Sequence, residues 1–311
     1  MQKSDEPFLK RRARGLIKQD LVDKFSKIEY GIYTDTHPWA VLKLIYLDYI
    51  VGIYATLISK RYKKYYYVDL FSGSGIGKIS EIKNDLILGS PLLIGNRPNS
   101  NYTRMFFCER KRDIYKALNE RLNAMNKDYV AYNEDCNTAI DKIINEIKNG
   151  HSLIFLDQFG MDIKWLNMDK ILQLDADIII NFQTPSIARG IKQGDKTTNT
   201  AKEFFKDINA VESIYNKHSS ENLGEQLFKL YLEDLKSARL KYRHNYHIIK
   251  IKVRGNRAFY YDLIYITKQT RKESPWLKPI IEAGQEIVNL DRKDVEEILD
   301  ILKERQKVLF K

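Results

Sequence analysis

The sequence predicts an α/β fold: a mostly parallel seven-stranded sheet with helices on both faces, a helical insertion, and a terminal antiparallel hairpin. Three observations predict it. Five short runs, apolar almost throughout, alternate with helical patterns, as strands do when crossover helices bury them on both faces. Two later β-rich runs flank a Gly255-Asn256 turn, the signature of a hairpin. A polar stretch from Thr184 to Arg243, with apolar residues at helical spacing, separates the fifth run from that hairpin.

Residues 1–36 read as a polar, partly helical arm. Thr36 is the expected N-cap of a helix with apolar positions at Val41, Leu44, Ile45, Leu47 and Ile50. The stretch from Val41 to Ile58 is long and apolar, but Lys43 and Asp48 interrupt it, and charge at a bilayer centre is costly. It reads as a buried core helix. The first strand, Tyr65 to Phe71, runs into the glycine-rich loop Ser72-Gly73-Ser74-Gly75-Ile76-Gly77. The second, Arg104 to Glu109, precedes a helix from Asp113 to Met125, and the third, Tyr129 to Asn133, precedes a helix from Thr138 to Lys148. The fourth and fifth, Leu153 to Asp157 and Ala176 to Phe182, enclose a short helix.

Insertion helices are expected near Ala201–Ile208 and Glu225–Leu240. The hairpin strands are Tyr246–Val253 and Ala258–Thr267, and a last helix pattern covers Arg292–Leu309. This gives an arm at 1–36, a sheet domain at 37–275 with an insertion at about 184–243, and a C-terminal helical segment at 276–311.

Composition narrows the function. The 311 residues are 43% hydrophobic, which excludes a wholly disordered chain. The cysteines, Cys108 and Cys136, form no CxxC or Cys/His cluster, and the five histidines are scattered, so no metal site is expected. No apolar run of signal-peptide length follows the basic N-terminus, so a cytoplasmic location is expected. The net charge is +11, and most of that excess falls between Leu235 and Pro275. Lys241, Arg243, Lys250, Lys252, Arg254 and Arg257 stand there among Tyr242, Tyr246, Phe259, Tyr260, Tyr261 and Tyr265. Phosphate-neutralising cations with stacking rings are what single-stranded nucleic acid needs, and Arg189 is a further candidate for phosphate contact. The other reading is an edge strand protected by lysines, with its rings filling the inner face.

An open parallel sheet finished by a hairpin is the architecture of Rossmann-like class I methyltransferases, and such sheets bind ligands beyond the strands' carboxyl ends. Asp69, Glu109, Asp135 and Asp157 end, or directly follow, the first four strands. The glycine loop fits neither phosphate mode. Ser72 stands where a P-loop needs its first glycine and Ile79 where it needs a hydroxyl; against a dinucleotide fingerprint, Gly77 comes one position early. S-adenosylmethionine (SAM), which has no phosphate, fits better. Asp69 is placed to hold its amino group, Glu109 its ribose hydroxyls and Asp135, beside Cys136, its adenine amine. The alternative role for each acid is to cap the helix that follows.

The segments Asp69-Leu70-Phe71-Ser72-Gly73-Ser74-Gly75, Gly89-Ser90-Pro91-Leu92-Leu93, Cys108-Glu109-Arg110, Phe155-Leu156-Asp157-Gln158-Phe159-Gly160 and Ile179-Ile180-Asn181-Phe182 resemble the three-Cys-motif partner (TcmP) family, over roughly residues 37–270. A Gly-Ser-Pro in the corresponding place also occurs in J-type ribosomal-RNA adenine-N6 methyltransferases. The resemblance implies a SAM-binding fold with Phe71, Gly73, Gly75, Ser90, Pro91, Glu109 and Arg110 around the cofactor, and a cysteine-motif, radical-SAM-like partner protein. It also implies a transfer site at Asp157, Gln158 and Phe159, where Gln158 replaces the family's proline. The expected function is SAM-dependent methyl transfer to nucleic acid at an exocyclic base amine, whose hydrogens need acceptors as the nitrogen attacks. The alternative is a catalytically silent member that docks nucleic acid or its partner.

Overall fold

A computed structural model describes residues 12–13, 19–79, 85–98, 101–193, 195–217, 222–242, 246–254, 260–269, 274–290, 293–294, 297–298 and 300–301. In chain order the elements begin with α1 (Gln19–Ser26), β1 (Thr34–Thr36), α2 (Ala40–Ile58), β2 (Tyr65–Asp69), β3 (Ile76–Ile79), β4 (Asp85–Leu88) and α3 (Ser90–Gly95). They continue with β5 (Arg104–Cys108), α4 (Arg112–Asn123), β6 (Tyr129–Tyr132), α5 (Cys136–Ile147), β7 (His151–Leu156), α6 (Trp165–Gln173) and β8 (Ala176–Phe182). The insertion holds α7 (Thr184–Lys192), α8 (Asp195–Phe204), α9 (Ile208–Lys217) and α10 (Leu223–Tyr242). The hairpin β9 (Tyr246–Arg254) and β10 (Tyr260–Lys268) precedes α11 (Leu277–Asn289).

The main sheet has seven strands in the order β6-β5-β2-β7-β8-β10-β9. The first five are parallel, and β10 enters antiparallel between β8 and β9. This is the Rossmann-like class I methyltransferase arrangement that the sequence predicts. Order reverses between β2 and β7, the crevice where such sheets take ligands.

Period-2 alternation divides the side chains between two cores. Tyr67, Phe107, Phe155, Ile179 and Leu263 face α2, α3, α4 and α11. Val68, Phe106, Ile154, Ile180 and Ile264 face α5, α6, α7 and α10. Helix α2 meets the length and apolarity of a membrane span, yet it is a core helix, with Val41, Ile45, Leu47 and Ile50 at most 2% exposed.

A second sheet, β1-β3-β4, was not expected. Thr36 does not cap α2: it pairs with Ile79, and Trp39 occupies the cap position without a side-chain bond. Val22 and Phe25 are buried in the same core as α2. The insertion starts at Thr184 as read and holds α7 and α9 beyond the two helices expected, and the pattern expected at Ala201–Ile208 falls across the end of α8 and the start of α9. Arg243, Arg257 and most of the expected helix at 292–309 lie outside the described residues.

Candidate functional site at the carboxyl edge

Parallel pairing of β6, β5, β2 and β7 brings Asp135, Glu109, Asp69 and Asp157 to one edge of the sheet. The chain leaves β2 through a loop fastened on every side. Asp69 Oδ1 accepts from the Phe71 amide at 3.1 Å, and its Oδ2 accepts from the Ser90 hydroxyl at 2.6 Å. The Ser72 hydroxyl donates to the Asp69 carbonyl at 2.8 Å and accepts from the Cys108 amide at 3.2 Å, tying the loop to β5.

Gly73 (φ +60°) and Gly75 (φ +79°) occupy the left-handed region that a side chain disfavours. A Cβ on Gly73 would also lie 2.7 Å from Thr34 Oγ1, the atom that accepts from the Ser74 amide. Ser90 opens α3 with Pro91 in its first turn, where the missing amide is no loss.

Asp69 is fully buried, and burial pushes its carboxyl up to about 7. The Ser90 and Phe71 donors pull it down, Asp157 pushes it up and Lys43 pulls it down. Its acceptor work in this structure is internal: it holds the glycine loop and the start of α3.

Asp157 follows β7. Lys43 Nζ lies 2.6 Å from each of its oxygens, and Asn181 Nδ2, from β8, donates to Oδ1 at 2.7 Å. An ionised carboxylate only accepts, so the amide nitrogen of Asn181 must face it and Oδ1 must point away. That Oδ1 is buried with no partner, as is Nε2 of Gln158. Buried polar atoms are rarely left so, and the amide that holds Asp157 keeps an orphan acceptor, while the next residue in the chain keeps an orphan donor. Gln158 is fully buried, and its Oε1 accepts from the Ile163 amide at 3.4 Å. Phe159 is the opposite, 72% exposed, on a turn whose Phe159 and Gly160 amides both donate to Asp162 at 3.0 Å.

Glu109 Oε1 accepts from the Lys111 amide at 2.7 Å, so it caps the turn into α4 while remaining half-buried. Asp135 is the N-cap of α5, accepting from the Asn137 amide at 2.9 Å, and Arg110 lies 3.6 Å from its other oxygen. Burial pushes the Cys136 thiol well up, with Asp135 adding to the rise, so it stays protonated.

The basic candidates do not form one patch. Arg189 on α7 follows the carboxyl end of β8, and Arg254 at the end of β9 lies near it, since β10 pairs Asp262 with Phe182. Lys252 is ion-paired to Glu225, and Lys250 stands at mid-strand on the sheet edge. Lys241, in the last turn of α10, sits at the opposite end, where the neighbouring Arg239 donates to the Leu172 and Ala176 carbonyls.

Sequence reasoning missed two residues. Lys43 counted only as an interruption of an apolar helix, although a lone lysine on a buried stripe needs a partner, and that is the signal for it. Arg121, fully buried on α4, donates to the carbonyls of Phe25, Ile28, Glu29, Ile32 and Ser74, joining the segment before β1 to the glycine loop. A single arginine in an amphipathic helix gives no local signal of this.

No protein-family model matches the chain, and no curated protein matches it. Among solved structures, protein LPL1258 from Legionella pneumophila str. Philadelphia 1, of family model DUF519, has a TM-score of 0.50 at 13% identity, over 81% of this chain and 93% of that one. That likeness is one of fold. Trm1 from Pyrococcus horikoshii, solved in complex with S-adenosyl-L-methionine, has a TM-score of 0.43 at 12% identity, over 81% of this chain and 58% of that one.

Proposed function

We propose that the chain is a SAM-dependent methyltransferase acting on nucleic acid, at an exocyclic base amine. The observation that carries this reading is the carboxylate at the sheet's switch point: Asp157, fixed by Lys43 and by the Asn181 amide, presents two acceptor oxygens there. An amine that attacks an electrophile must shed hydrogen, and two fixed acceptors are suited to its N–H bonds.

The residues present fit the cofactor. The glycine turn between Ser72 and Gly75 lies at the carboxyl end of β2, where Gly73 and Phe71 are half-buried. Asp69 orders this turn and the Ser90-Pro91 start of α3. Glu109 spends one oxygen on Lys111, and a carboxylate retains capacity for a ribose diol. Arg110 and Asp135, 3.6 Å apart beyond the ends of β5 and β6, with Cys136 next in the chain, are the candidates to receive the adenine. When bound, SAM supplies an electrophilic methyl group.

Phe159 offers an exposed ring for a base taken out of its stack. Arg189 and Arg254 flank the same edge and would meet phosphates. Gln158 gives the turn a hydrogen bond to Ile163 where the family's proline would give stiffness, which favours a working turn over a silent docking subunit. A cysteine-motif partner protein remains the family's expectation.

The test is calorimetric titration of SAM and its demethylated product, with a labelled-methyl screen over RNA and DNA. Glu109→Ala should lose SAM binding. Asp157→Ala should retain it and lose transfer; unchanged turnover in that variant removes Asp157 from the mechanism.

A further inference from the structure

The opposite end of the sheet carries a cleft that the methyl-transfer reading does not use. It opens where β7, β8 and β10 meet the last turn of α2, and Tyr54, Tyr62, His151, Asp177, Lys268 and Trp276 are among its lining residues. Its walls are aromatic. Tyr54 and His151 are buried and hydrogen-bonded at 2.9 Å, the Tyr62 ring lies 4.8 Å from the His151 ring, and Trp276 is half-buried.

Its rim is cationic. Arg61 lines it, and Lys60, Lys63 and Lys64 are its exposed neighbours in the chain, giving four cations in five residues. Lys268 adds a fifth from β10. The two acids are already occupied: Asp177 accepts from Tyr265 and Thr267, and Asp175 accepts from Tyr62 and lies 3.6 Å from Lys268.

We propose that this cleft binds a nucleotide unit, with its base against Tyr62 and Trp276 and its phosphate on Arg61 and Lys268. Aromatic walls alone would take any planar group, and the cationic segment alone any polyanion. Their juxtaposition selects a planar ring that carries phosphate. From His151 in the cleft's wall to Asp157 just past β7 is six residue steps, roughly 20 Å at about 3.3 Å each. A nucleotide held here is therefore not the methyl acceptor. It is either a free nucleotide or a second segment of a bound single strand, and the chemistry of recognition is the same.

The proposal goes beyond methyl transfer and is tested without SAM. A fluorescein-labelled single-stranded twelve-mer, as RNA and as DNA, is titrated by anisotropy at several salt concentrations, and AMP and UMP are titrated by calorimetry. The full-length protein is compared with an Arg61→Ala/Lys268→Ala double variant and with Trp276→Leu, folding being checked by circular dichroism. The double variant should weaken binding about tenfold or more and flatten the salt dependence by about 0.7 per lost phosphate contact. Trp276→Leu should weaken it by about 5- to 100-fold, the worth of one stacked base. Mononucleotide binding with the same losses identifies a free nucleotide; oligonucleotide binding alone identifies a polymer. Absence of both, or affinity unchanged in both variants, overturns the proposal. SAM titration of the same variants should match the unmodified protein, so failure of the methyltransferase reading is seen separately.

Discussion

Lys43 Nζ lies 2.6 Å from both carboxylate oxygens of Asp157, joining the first long helix to the end of the fourth parallel strand. The lysine side chain is 10% exposed and the aspartate 21%, so the pair is largely withdrawn from water. Removing one partner of such a pair strands the other charge, whereas removing both does not. Lys43→Met should therefore cost about 3 kcal/mol. The double variant Lys43→Met/Asp157→Asn should recover most of it. Urea unfolding of the four proteins of this cycle reads the coupling directly; additive losses would mean the pair contributes nothing.

Asp69 gives a pH dependence of opposite sign to the usual carboxylate. Burial raises its folded-state carboxyl to about 7, above the unfolded value of about 3.9, so between those pH values the folded chain binds the extra proton. Its contribution to stability is then greatest below pH of about 4 and is lost as pH rises toward 7. The loss is on the order of 4 kcal/mol as an upper bound, at 1.36 kcal/mol for each of about three units. Asp69→Asn, which keeps an acceptor for the Phe71 amide, should gain on the unmodified protein as pH rises across that window. Parallel unfolding curves at pH 4, 5.5 and 7 check it, and a constant difference would show that Asp69 titrates normally.

Four of the five parallel strands were legible as short runs buried on both faces, such as Ile178-Ile179-Ile180, whose length and β-branched content mark them as strands, while β6, at the sheet edge, is only partly buried. Strands β1, β3 and β4 were not. Thr34-Asp35-Thr36 and Ile76-Gly77-Lys78-Ile79 are three and four residues long, too short to show a period. The four strand-end acids could be read from position alone, because parallel strands deliver their carboxyl ends to one edge. Their division of labour could not, since whether a carboxylate caps, holds a loop or faces a ligand depends on partners as distant in sequence as Ser90 and Lys43. The basic segment could not be divided in the sequence, because charge along the chain does not say which end of a hairpin faces the site.

Arg121 should control the order of the glycine loop. Its guanidinium bridges the Ser74 carbonyl and carbonyls from Phe25 to Ile32, work that a lysine's single point of donation cannot reproduce. Arg121→Lys should destabilise the chain by about 3 kcal/mol, as carbonyls buried with it lose their donors. It should also speed amide hydrogen exchange at Ser74 and Ile76 more than in α5, on the far face of the sheet. Uniform acceleration everywhere would mean a global loss of stability and no special hold on the loop.

Phe159 separates stability from recognition. At 72% exposure its ring gives little to the core, so Phe159→Ala should change unfolding free energy by no more than about 0.5 kcal/mol. The turn itself should survive, because Asp162 holds it through the Phe159 and Gly160 amides, which alanine retains. A ring that stacks on a base contributes about 1–3 kcal/mol, so the same substitution should weaken nucleic-acid engagement by about 5- to 100-fold with SAM affinity unchanged. The loss should appear in KM for the polymer if the base stacks equally before and during transfer, and in kcat if stacking strengthens as the amine is aligned. Chemical denaturation, SAM calorimetry and polymer-dependent kinetics on one variant settle it: a stable protein with undiminished polymer affinity and turnover would show that the exposed ring plays no part in recognition.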